Sequence, residues 1–221
     1  MSDRPAVAKS EVMVETPDAT LPGNLNVPAG SRAIVLFAHG SGSSRLSPRN
    51  RLVAEDLNGG GLATLLFDLL TPDEHQIDQY SAELRFDIGL LSRRLGNAVD
   101  WVRKQPELHS LAIGLFGAST GAAAALRVAA EKPESISAVV SRGGRPDMAG
   151  EALPRVKAPT LLLVGGRDEQ VIQLNREAAD QMQAEIRLEI IPGATHLFEE
   201  PGKLEEVARL AREWLQTHTE Q

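Results

Sequence analysis

Ile113-Gly114-Leu115-Phe116-Gly117-Ala118-Ser119-Thr120-Gly121-Ala122-Ala123-Ala124-Ala125-Leu126 decides how the rest of this 221-residue chain is read. The apolar run at its start predicts a buried strand. The alanines at its end predict a helix, because alanine has the highest helix propensity. Between them stands a serine flanked by glycines, Gly117-x-Ser119-x-Gly121. In this pattern a serine is held on a sharp strand-to-helix elbow, with its hydroxyl exposed above the carboxyl edge of a sheet. Small residues on both sides follow from the geometry, since a strand and the helix returning over it leave little room. Ser119 is therefore the first candidate nucleophile.

Working outward, residues 33–38 (Ala-Ile-Val-Leu-Phe-Ala) and 62–67 are further continuous apolar runs, and residues 136–141, 160–164 and 186–191 read as strands as well. Strands apolar on both faces belong inside a sheet covered by helices. Between them lie helical patterns. One starts at Pro48, carries Leu52, Val53, Ala54 and Leu57, and stops at Gly59-Gly60-Gly61. Others run over residues 86–104, 122–130 and 171–182, and a terminal one carries Leu204, Val207, Ala208, Ala211 and Leu215. Such alternation predicts right-handed crossovers and a doubly wound, mainly parallel α/β sheet with helices on both faces. Residues 1–30, with the alternation Glu11-Val12-Met13-Val14-Glu15 and the run Leu25-Asn26-Val27, read as an antiparallel edge hairpin. The polar stretch 69–85 reads as a long connection forming a lip over the sheet's carboxyl edge. No repeat or linker divides the chain, so residues 1–221 are expected to form one domain.

Composition narrows the chemistry. A net charge of −7 opposes phosphate backbones and anionic lipid surfaces, so neither nucleic acid nor membrane is an expected partner. Met1-Ser2-Asp3-Arg4-Pro5 lacks the pattern of a secretory leader, and no apolar run reaches the length of a membrane span, which predicts a cytoplasmic protein. With no cysteine, there is no thiolate nucleophile and no cysteine-ligated metal. The five histidines, at 39, 75, 109, 196 and 218, form no metal-type pair, and no metal site is expected.

In a parallel sheet, ligands bind outside the carboxyl ends of the strands. Four predicted strand ends carry chemistry: His39-Gly40-Ser41, Ser119, Asp168 and His196. A serine needs a base, and a histidine with an ordinary pKa of about 6.5 serves near neutrality. His196 is assigned that role, and Asp168 the role of orienting its ring. Asp147 and Glu169 are the alternatives for the acid, since Asp168 also suits a helix N-cap. The backbone N–H groups of Thr120 and Ser41 are assigned to an oxyanion hole. His39, Arg142 and Arg145 are candidates for binding substrate. For His39 a bracing role in its loop competes with this, and for both arginines a structural salt bridge does. Asp68 is expected to tie down the loop that follows it.

These motifs resemble the α/β-hydrolases, most closely the small, lidless dienelactone hydrolase-like group. The resemblance spans residues 33–215 and rests on four segments: Leu36-Phe37-Ala38-His39-Gly40, the Ser119 elbow, Leu162-Leu163-Val164-Gly165-Gly166-Arg167-Asp168, and Pro192-Gly193-Ala194-Thr195-His196. It implies an eight-stranded core and cofactor-free acyl transfer on a small-molecule ester, thioester or lactone. Relatives insert a cap after the strand ending near Ser141, and the short interval here implies that none is present. Dienelactone hydrolases proper use a cysteine nucleophile, which this chain lacks, so their lactone substrate and their substrate-binding arginines are not carried over.

Overall fold

A computed structural model describes residues 7–219. The first six residues, which carry the N-terminal reading given above, lie outside it. The chain runs β1 (Val7–Glu15), β2 (Thr20–Val27), β3 (Ala33–Ala38), α1 (Pro48–Gly59), β4 (Ala63–Phe67), α2 (Pro72–Ser81), α3 (Ile88–Lys104), β5 (Ala112–Ala118), α4 (Thr120–Glu131), β6 (Ile136–Arg142), β7 (Thr160–Gly165), α5 (Glu169–Ala179), β8 (Ile186–Ile191) and α6 (Lys203–Thr219). The eight strands form one sheet in the order β1-β2-β4-β3-β5-β6-β7-β8. Strands β3 to β8 are parallel, whereas β2 joins β4 antiparallel and carries β1 as the edge of a hairpin. Within the described residues this is the expected α/β-hydrolase architecture.

Strand β3 shows why the sheet is covered on both sides. Ile34, Leu36 and Ala38 point into one core with the apolar faces of α3 and α4. Ala33, Val35 and Phe37 point into the other, with Val53 and Leu57 of α1 and Val207, Ala211 and Leu215 of α6. Side chains alternate along a strand, so a strand buried at all six positions needs a helical layer on each face. On the α1–α6 side Phe37 and Phe116, paired in register, stack with ring centroids 4.8 Å apart.

The lip differs from the expected loop. Residues 72–81 are helical, begun by Thr71, which accepts the Glu74 N–H while the Glu74 carboxylate accepts the Thr71 N–H. The helix has no apolar stripe to betray it: Ile77 and Tyr80 are exposed, and its one buried residue is Asp78. Charge holds it instead. Asp78 binds Arg85 at 2.7 Å, and the buried Arg94 of α3 bridges Glu74 at 2.7 Å and Asp18 at 2.9 Å. These guanidinium groups hold the Asp18, Glu74 and Asp78 carboxyls below the usual carboxylate range despite opposing desolvation.

Between β6 and β7, residues 146–155 form a short 3-10 segment kinked at Gly150 (φ 54°), with no helical cap. No helix among the described residues is long and apolar enough to cross a membrane.

Candidate active site

The strand order turns back at β3, with β4 on one side and β5 on the other, which is where a doubly wound sheet opens a crevice. Ser119 leaves β5 here with φ 51° and ψ −119°, a conformation that costs a non-glycine residue about 1–3 kcal/mol. Its backbone is held from both sides: the Ser119 N–H donates to Arg142 O at 3.2 Å, and the Arg145 N–H donates to Ser119 O at 3.1 Å. The flanking glycines are required by contact. A Cβ on Gly117 would run into the Ala122 backbone, and one on Gly121 would overlap the carbonyls of Ala38 and His39.

His196 follows the turn after β8. The Arg167 N–H donates to Ala194 O at 2.9 Å and ties this turn to the end of β7. The imidazole lies over Gly143, where a Cβ would stand 3.5 Å from the ring. His196 Nδ1 meets Asp168 Oδ2 at 2.6 Å. An ionised carboxylate only accepts, so Nδ1 carries the proton and Nε2 is the basic nitrogen. Ser119 and His196 line one cavity of about 240 Å³, together with Gly40, Ser41, Arg142 and Leu197. The ring nitrogen pointing away from Asp168 has no hydrogen-bond partner among the described residues, Ser119 Oγ included; such bonds often tighten only when substrate binds.

The alternatives for the acid are placed elsewhere. Asp147 forms a two-bond ion pair with Arg145, at 2.9 and 2.7 Å, and Glu169 begins α5 exposed. That pair is the structural salt bridge weighed for Arg145 against substrate binding: its guanidinium is committed to Asp147, and Arg145 does not line the cavity. Of the two expected oxyanion donors, Ser41 lines the cavity, and Thr120 is the buried first residue of α4.

His39 is a brace. Its Nδ1 bonds Gly40 O at 3.0 Å, and its Nε2 accepts the Leu69 N–H at 3.0 Å, which leaves no ring nitrogen for a substrate. Burial pushes its pKa below the ordinary value, in keeping with this neutral tautomer. Asp68 does the converse of what was expected. It secures the loop after β3, accepting the Arg45 N–H and guanidinium at 2.7 Å each, while His39 secures the chain after Asp68. Arg142 behaves differently from all of these. It is 7% exposed, lines the cavity, and bonds Asn50 Oδ1 at 3.1 Å. Arg49 and Asn50, on the first turn of α1, were missed in the sequence. Asn50 could have been found as the polar member of the buried series Asn50, Val53, Ala54, Leu57.

Residues 23–220 match the dienelactone hydrolase family. The chain belongs to that family. Dienelactone hydrolase from Anabaena variabilis is 58% identical, with a TM-score of 0.94 over 96% of this chain and 98% of that one. Est1E from Butyrivibrio proteoclasticus shares the fold at 18% identity, with a TM-score of 0.79 over 96% and 99% of the two chains. A Mycobacterium tuberculosis protein named "Putative phosphoribosyl transferase Rv0571c" is 54% identical over 97% of this chain but only 47% of its own length. This member of the dienelactone hydrolase family thus spans about half the length of the curated relatives it matches.

Proposed function

We propose that this chain is a serine hydrolase that cleaves small carboxylic esters, thioesters or lactones through an acyl-enzyme. The observation that carries the reading is the 2.6 Å contact between Asp168 and His196 Nδ1, beside a cavity that Ser119 and His196 share. Substrate fills that cavity with its carbonyl carbon against Ser119 Oγ. His196 Nε2 takes the hydroxyl proton as the Oγ–C bond forms, and the imidazolium is stabilised by Asp168. The oxyanion is received by the backbone N–H groups of Ser41 and Thr120, each worth about 10²–10³ in rate. His196 then gives its proton to the leaving oxygen or sulfur as that bond breaks. Water deprotonated by the same nitrogen attacks the acyl-enzyme, and the proton returns to Ser119 as the acid departs. Every step uses this chain's own side chains and backbone.

The phosphoribosyl transferase name belongs to a chain about twice as long, and a serine and a histidine lining one cavity support acyl transfer as the reading for this chain. The experiment is hydrolysis of 4-nitrophenyl acetate by the wild type and Ser119→Ala. The expected result is a loss of at least about 10³-fold in kcat with the circular dichroism spectrum preserved. Undiminished turnover in the variant contradicts the reading. Ester product formed on adding an alcohol would instead make the acceptor, and not the nucleophile, the point to revise.

A further inference from the structure

The catalytic cavity contains a buried positive charge that the proposed reaction does not use. Arg142 follows Ser141 at the end of β6, in register with Ala118, the residue before the nucleophile. Among the described residues its guanidinium donates one hydrogen bond, to the neutral side chain of Asn50, and its Nε is buried without any partner. No carboxylate pairs with it among the described residues. Burial, together with the repulsion of another cation, Arg49, pushes its pKa down to about 10. Arg49 lines the same cavity and also buries an unpartnered Nε; the exposed Glu199 approaches it only to 3.6 Å.

Charges in protein interiors are paired, because an isolated one forfeits its hydration without return. Every other buried guanidinium or acid described above obeys that rule: Arg94 bridges two carboxylates, and Asp78 holds Arg85. Arg142, with no carboxylate partner, and Arg49, whose one ion pair is the loose contact with exposed Glu199 at 3.6 Å, stand beside Ser119 and His196 as an anionic group requires, since the planar fork donates to two oxygens at once. Building on the serine hydrolase reading, we propose that Arg142 and Arg49 form an anion cradle, and that the substrate is an ester or thioester bearing a carboxylate or phosphate group close to the scissile carbonyl. Asn50 fixes the Arg142 guanidinium beside the cavity that it lines, so little side-chain entropy is left to lose on binding. The cradle also explains how a chain with a net charge of −7 would take an anionic substrate: the average field repels, and the local field at the reacting carbon attracts.

The test compares kcat/KM for three ethyl esters of similar size: neutral ethyl 4-methylpentanoate, monoethyl succinate and ethyl 3-phosphonopropanoate. They are assayed with the wild type, Arg142→Gln and Arg49→Gln. The wild type is expected to prefer at least one anionic ester by about 10-fold or more, and each variant to lose most of that ratio through KM. Preference for the succinate assigns a carboxylate, and preference for the phosphonate a phosphate. Equal rates on all three esters in the wild type overturn the cradle while leaving the hydrolase reading intact. Failure to hydrolyse any of them shifts the question to binding, read as thermal stabilisation by succinate or inorganic phosphate. Stabilisation of the wild type that Arg49→Gln loses upholds the cradle, and no stabilisation overturns it. Arg49→Gln, on the half-exposed first turn of α1, serves where the buried Arg142→Gln fails to fold.

Discussion

Asp168 sits at a fork between two ordinary fates for an aspartate after a strand. As the residue before α5 it could cap the helix, yet its side chain makes no capping bond and turns to His196. Its charge therefore goes to the imidazole. Asp168→Asn keeps the shape and removes the charge, so the ring loses its preference for the tautomer with Nε2 free. Its kcat is expected to fall about 10⁴-fold with KM little changed, measured on a soluble activated ester. A change of less than about tenfold would mean that the ring is oriented by its seat over Gly143. The sequence supplied the order serine, aspartate, histidine but left Asp147 open as the acid. A single residue, Pro146, separates Arg145 from Asp147, and only the conformation of that loop decides that they bind each other.

The elbow from β5 into α4 is the element on which the site depends. Its two glycines are legible in the sequence because contact forbids anything larger, and a spacing rule carries that kind of information well. Gly121→Ala forces a methyl group against the Ala38 and His39 carbonyls, which cannot move without disturbing β3. We expect a loss of about 3 kcal/mol in urea unfolding, with an unchanged slope. Gly59→Ala, where nothing lies within 4 Å, is the matched control and should not destabilise. The strands and most helices were legible for a similar reason: continuous apolar runs and 3.6-residue stripes record burial directly. Helix α2 was not, because it is held by a capping box and by ion pairs to Arg94 and Arg85, which leave no stripe. The brace between His39 and Leu69 and the one between Arg45 and Asp68 were equally hidden, since each links the ends of two strands whose adjacency is a product of the fold.

At the scale of the whole molecule, the sheet brings Ser119, Asp168 and His196 from the ends of β5, β7 and β8 to one edge. A short 3-10 segment stands after β6 where a cap could be inserted, so the crevice is bordered mainly by the loop after β3 and the turn after β8. The unfolded chain has none of this arrangement, and a lone serine hydroxyl is a poor nucleophile in water. The central claim, that the fold makes Ser119 a nucleophile, is tested most directly by a fluorophosphonate, whose phosphorus is attacked by an activated serine oxygen with loss of fluoride. Intact-mass analysis of folded protein should show one adduct, and peptide mapping should place it on Ser119 within the tryptic peptide 105–127; protein held in urea should remain unlabelled. Folded protein that takes up no label, or takes it up at a residue other than Ser119, would contradict the account.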